Sequence, residues 1–234
     1  MSCLKKTLLK SVIAAALFSA QFSTYAAGMV PETSLLVIDE ATHSGTINVK
    51  NTDSFPALLY TNVLDLPDDQ GLKLISTQPV VRLEPGQTQQ LRFILQNKEP
   101  LEAEHYKRVT FEGIPPKSDN KNIKIGFNLR QDLPVLIRPA KLAVVTDAWK
   151  YLEWNATGTT LTVKNPSKYV VRLAQNVMTQ PSGTAGTLRK TYILPGQSMT
   201  ATLKKTVSGD NKVKFLPASR YGVEVPSFVS ELNK

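Results

Sequence analysis

The chain has 234 residues, of which 41% are hydrophobic and 20% charged, with 15 prolines and 12 glycines. That is ordinary globular composition, long enough for one large domain or two of common size and for a core that needs no covalent staples. The formal charge of +9 falls to +6 once a basic leader carrying Lys5, Lys6 and Lys10 is removed. The excess reads either as a solvated basic surface or as a surface that receives acidic partners. Nucleic acid is excluded as a partner, because no basic stripe is interleaved with aromatics.

In chain order, the first feature is that leader. Lys5 and Lys6 precede the mostly apolar run "TLLKSVIAAALFSA", which is too short to span a bilayer. Thr24-Tyr25-Ala26 places small residues at the cleavage signature, so residues 1–26 form a signal peptide, with cleavage after Ala27 as the runner-up. No second apolar run suggests membrane insertion. The only cysteine, Cys3, lies in the leader, so the mature chain enters an export route without a disulfide or a thiolate.

After the leader, short alternating or β-branched runs recur between turn residues. They are "SLLVID" (34–39), "GTINVKN" (45–51), "ALLYTNV" (57–63), "QQLRFIL" (89–95), "YKRVTFEG" (106–113), "TTLTVKN" (159–165), "YVVRLAQNV" (169–177) and "SMTATLKK" (198–205). Strands at this spacing predict an all-β chain of sandwiches. The chain also repeats itself. "TINVKN" (46–51) returns as "TLTVKN" (160–165), and each copy is followed four residues after its asparagine by an aromatic, Phe55 or Tyr169. "LEPGQT" (83–88) returns as "ILPGQS" (193–198). Ordered matches at nearly constant offset predict two immunoglobulin-like domains of similar topology, residues 27–141 and 142–234.

Signals for catalysis and metal binding are poor. His43 and His105 have no metal-ligand spacing, and no nucleophile elbow or phosphate-cradling loop appears. Asp68-Asp69 in "LPDDQG" read as a hairpin turn, with calcium as the weaker alternative. No catalytic residue, metal or cofactor is expected.

The stretch "NIKIGFNLRQDLPVLIRP" (122–139) begins with strict alternation: Ile123, Ile125, Phe127 and Leu129 share one face. Together with "INVKNTDSFPALLYTNV", "PVVRLEPGQTQQLRFIL", "FEGIPP", "LPVLIRPAKL", "VKNPSKYVVRL" and "ILPGQS", it resembles the PapD-like periplasmic chaperones of the chaperone–usher pilus pathway along the length of the mature chain. The resemblance implies two immunoglobulin-like β-sandwich domains set at an angle. It implies a periplasmic chaperone that binds pilus or fimbrial subunits, stabilises them by donating a β-strand, and delivers them to an outer-membrane usher. Backbone bonds along the strand and apolar side chains at alternate positions are the physical grip. By position, Ile123, Ile125, Phe127 and Leu129 match the donor residues; the competing reading packs the same four into the domain's own core.

Two positions depart from the family pattern. A basic pair in the cleft is implied to hold the subunit's C-terminal carboxylate, yet Leu35 and Pro134 stand at those places. Arg130, or hydroxyls and amides around Thr33 and Ser34, are the candidate substitutes. Glu104 and Arg138 match two members of the family's interdomain salt-bridge cluster. The short connection "IPPKSDNK" (114–121) places the chain with the short-loop branch, implied to build rod-like or fibrillar pili. The alternative function is a secreted two-domain β-sandwich adhesin or polysaccharide-binding protein, and a periplasmic hydrolase is a third.

Overall fold

The computed structural model describes residues 28–116, 129–207, 209–219 and 225–233. The predicted leader, 1–26, and three of the four proposed donor residues, Ile123, Ile125 and Phe127, lie outside the described residues. Among those described, no helix is long and apolar enough to cross a membrane.

The first half of the chain contributes β1 (Met29–Pro31), β2 (Leu36–Asp39), β3 (Ser44–Asn51), β4 (Ala57–Leu64), β5 (Lys73–Ser76), β6 (Val80–Leu83), β7 (Thr88–Gln96), β8 (His105–Ile114) and β9 (Arg130–Arg138). They are hydrogen-bonded in the order β5-β7-β3-β2-β9-β8-β4-β6, and β1 adds to β3. The second half contributes β10 (Glu153–Thr157), β11 (Thr160–Lys164), β12 (Val171–Gln180), β13 (Ala185–Leu188), β14 (Tyr192–Ile193), β15 (Ser198–Leu203), β16 (Lys212–Pro217) and β17 (Phe228–Asn233). Their order is β13-β15-β11-β10-β17-β16-β12-β14. The only helical elements among the described residues are two single 3-10 turns, Glu40–Thr42 and Ala148–Tyr151. The second falls where a helix over 144–153 was the less favoured reading of the sequence.

Alternation in sequence becomes burial. In β7 the residues Leu91, Phe93 and Leu95 face inward while Arg92 faces out, and in β8 Val109 and Phe111 meet them from the other layer. Each such side chain contributes about 1.5–3 kcal/mol by leaving water. The first core also holds Ile47, Val49, Leu59, Val135 and Ile137. A separate core around Trp154, Leu161, Val163, Leu173 and Phe215 fills the second half, with Trp154 and Phe215 rings 5.1 Å apart. Two cores with one order of strands give the two-sandwich architecture that the repeats predicted.

The repeats have a physical cause. Asn51 and Asn165 are fully buried. The Asn51 side chain donates to the Phe55 and Leu83 carbonyls at 3.0 and 3.1 Å and accepts from the Asp53 N–H. Asn165 donates to Tyr169 and Ile193 at 2.7 and 3.2 Å and accepts from Ser167. Each asparagine backbone also pairs with the Pro-Gly turn, through Gly86 and Gln87 in one domain and Gly196 and Gln197 in the other. Both glycines are left-handed, with φ of 74° and 73°, which is why the turn is Pro-Gly. One amide thus closes the turn after its own strand and fastens a second turn more than thirty residues on or nearly so.

Candidate functional site

β9 is unequally supported on its two sides. β8 pairs with it from Arg130 to Ile137, whereas β2 pairs only from Val135 to Arg138. On the β2 side, Arg130 to Pro134 are left without a strand neighbour among the described residues. The ladder to β2 therefore begins one residue past Pro134, a residue with no N–H to donate. Leu129, just before the strand, is half exposed and packs beside Gly28. An open strand edge of this kind is a template for another chain.

β8, β4 and β6 present a second surface. Leu58 and Tyr60 of β4, Val80 of β6 and Ile114 of β8 are all exposed. Leu58 pairs with Ile114 and Tyr60 with Val80, so the four side chains share one face.

Where β9 ends, the two domains meet. Leu35, Tyr106 and Leu136 from the first pack on Val170 and Leu194 from the second, with the Tyr106 and Tyr192 rings 5.1 Å apart. Polar contacts surround this apolar centre. The Glu104 N–H donates to the Lys168 carbonyl, and the Val170 N–H donates to the Glu104 carboxylate, both at 2.9 Å. Asp68 accepts from Lys190 at 2.6 Å and from the Tyr192 hydroxyl at 2.9 Å. Burial pushes the Asp68 carboxyl up, but the hydrogen bonds from Lys190 and Tyr192 outweigh it and hold the pKa below the usual carboxylate value. Tyr192 moves the other way: burial and the neighbouring Asp68 raise it. Asp69 is buried and turns inward, accepting from the Tyr106 N–H and from His105 Nδ1 at 2.7 Å. The Asp68-Asp69 turn is therefore a clasp between domains as well as a turn, and each carboxylate has partners within the protein. Among the described residues, no group of three or more His, Cys, Asp or Glu side chains could hold a metal ion.

The two residues of the expected Glu104–Arg138 brace have the following partners among the described residues. Arg138 Nη2 pairs with Asp39 on the neighbouring strand, within its own domain. Glu104 does reach the second domain, but through the Val170 N–H. The exit from β9 is fixed by a different acid: the buried Glu40 accepts from Ala140 N–H and Leu101 N–H, each at 2.8 Å, and from Asn97.

The candidate carboxylate anchors are dispersed. Thr33 donates its hydroxyl to the Leu35 carbonyl at 3.0 Å, and Ser34 is exposed. Arg130 sits opposite Glu112, four residues along β9 from Pro134, a rise of about 13 Å. The residue directly across from Pro134 is Arg108 on β8, which donates to the Asp132 side chain and carbonyl, both at 2.8 Å. Its neighbour Lys107 is fully buried and pairs with Asp65.

Two family models match the chain: "Pili and flagellar-assembly chaperone, PapD N-terminal domain" over residues 28–143, and "Pili assembly chaperone PapD, C-terminal domain" over 147–228. A fimbrial chaperone of Escherichia coli strain K12, YhcA, is 48% identical over 226 residues, covering 96% of this chain and 100% of its own. The Escherichia coli chaperone protein AfaB is 25% identical over 179 residues, 70% of this chain and 71% of its own. Among solved structures, a chain of the Salmonella enterica SafA pilin–SafB chaperone complex superposes with a TM-score of 0.74 at 21% identity, covering 90% of this chain and 99% of that one. The Escherichia coli chaperone DraB gives 0.69 at 22% identity, covering 88% and 97%. At such identities these structures establish likeness of fold.

Proposed function

Because the chain belongs to the PapD-like pilus-assembly chaperones, we propose that it receives a fimbrial subunit in the periplasm along the free edge of β9, completes the subunit's sheet with that strand, and passes it to an outer-membrane usher. The observation that carries this reading is the half-free edge of β9 over Arg130–Pro134. It continues N-terminally into the alternation of Ile123, Ile125, Phe127 and Leu129. A subunit strand laid on that edge gains main-chain bonds from β9 and apolar side chains at every second position of the donor segment. The exposed face of Leu58, Tyr60, Val80 and Ile114 supports the hand-over step. It lies on β4, β6 and β8, so it stays available to a second partner while the β9 edge is occupied.

Phe127→Asp tests strand donation. On this reading the charge falls on the donor face of the segment, so the variant folds and its unfolding transition is unchanged. Recovery of co-expressed fimbrial subunits from the periplasm drops at least tenfold, and the subunits are degraded. Normal subunit recovery with Phe127→Asp contradicts the reading.

A further inference from the structure

The second sandwich closes on itself. β13 pairs with β15 on one side and with β12 on the other, so the path β13-β15-β11-β10-β17-β16-β12 returns to β13. This side of the second sandwich therefore presents a face and not a strand edge. A groove of about 550 Å³ lies there, lined by residues of β12, β13, β15 and β16. That volume suits a small molecule.

The strand register places the groove's charges. Met178 of β12 sits opposite Ala185 of β13 and opposite Lys214 of β16. The Lys204 N–H donates to the Ala185 carbonyl at 3.1 Å, which brings Lys204 of the β15 side to the far end of the same row. An exposed methionine thus lies between two lysines, one strand from Lys214 and two strands from Lys204. Leu216, two residues beyond Lys214, adds a second exposed apolar side chain to the lining. The next basic residue, Lys212, is matched by Glu231 at 3.8 Å. Lys204 and Lys214 have no ion pair among the described residues, and no acidic side chain is among those that line the groove.

An apolar floor with uncompensated ammonium groups at its sides complements an anion that carries an aliphatic chain. A peptide strand is a poorer match, because both sides of β13 are already paired and leave it no ladder to join. A phosphate takes several donors at once, from an arginine fork or a helix N-terminus, and neither lines this groove. Lysine supplies a single point charge, which suits a carboxylate.

We propose that the outer groove of the second sandwich binds an aliphatic monocarboxylate, a fatty acid, with its chain on Met178 and Leu216 and its charge met by Lys204 and Lys214. The site lies on the sandwich that does not carry β9, so the inference stands or falls independently of strand donation.

The test uses the full mature chain labelled with methyl-¹³C methionine. Past the predicted leader the methionines are Met29, Met178 and Met199. Met29 and Met199 are buried in the two cores and serve as internal controls for folding, while Met178 reports on the groove. The probes are octanoate, octanol, octyl phosphate and acetate. Octanoate shifts the Met178 methyl and binds at least tenfold more tightly than octanol or octyl phosphate, and acetate leaves the methyl unmoved. Replacing both lysines, Lys204→Gln with Lys214→Gln, weakens octanoate at least tenfold and makes it equal to octanol. Leu216→Asp abolishes binding of both. The Met29 and Met199 methyls keep their positions in each variant.

Equal binding of octanoate and octanol by the wild type overturns the role of the lysines. Octyl phosphate that binds as tightly as octanoate overturns the assignment to a carboxylate. Octanoate binding that leaves Met178 unmoved, or that survives the double lysine replacement undiminished, places the ligand elsewhere and overturns the site, as does the absence of any response to octanoate at millimolar concentration.

Discussion

Adding eight to each strand number of the first sandwich reproduces the strand order of the second, and Asn51 and Asn165 hold equivalent turns in equivalent ways. The two differ in what lies outside that frame. The first ends in a nine-residue strand, β9, where the second ends in the six-residue β17. In the second, β13 pairs with β12 as well as with β15, which draws the edge of the sheet in. The first carries the open edge of β9, whereas exposed apolar side chains occur on both, Leu58, Tyr60, Val80 and Ile114 on the first and Met178, Leu216 and Val229 on the second. Features common to both sandwiches therefore account for folding, and on the strand-donation reading the open edge of the first is where a partner is held.

The largest effect is expected where the sandwiches agree. Asn51→Ala and Asn165→Ala each leave two carbonyls and one N–H without their side-chain partner. Each lowers the stability of its own domain by about 2–4 kcal/mol. Urea unfolding followed by probes in each domain reads both losses. A difference of more than about 2 kcal/mol between them would break the equivalence of the two locks.

A smaller effect is expected at the clasp between the sandwiches. Asp68→Asn weakens the contacts to Lys190 and Tyr192, with a change of about 0–1 kcal/mol in domain stability. The readout is interdomain geometry: small-angle scattering at neutral pH detects a broader distribution of domain angles in the variant. The wild type follows the same course in acid. The folded pKa of Asp68 lies below its unfolded value, so the clasp is fully present above the ordinary carboxylate range and is lost as pH falls through the depressed pKa. Scattering curves of the variant that match the wild type at neutral pH would remove Asp68 from the clasp.

Most of the framework was legible because it is local. Period-two burial placed β3, β4, β7, β8, β11, β12 and β15 to within a few residues, and the asparagine and Pro-Gly repeats placed two domains of one topology. Short strands such as β5, β13 and β14 escaped, since four or two residues carry too little alternation to stand out. The cleft was less legible, because its contacts join residues far apart in the chain. Asp68 meets Lys190 and Tyr192 more than a hundred residues on, and nothing in "LPDDQG" marks it as more than a turn. Arg138 and Glu104 were paired by position in a family pattern, yet Asp39 lies on the strand next to Arg138 and takes its guanidinium.

The central claim is that the free edge of β9 receives a partner's strand. Hydrogen–deuterium exchange over residues 129–134 tests it most directly, with the chain alone and with a co-purified fimbrial subunit bound. The account predicts that amides on the β2 side of this segment exchange readily in the free protein and become protected in the complex, while Val135–Arg138 are protected in both. Unchanged exchange across 129–134 on subunit binding would contradict it.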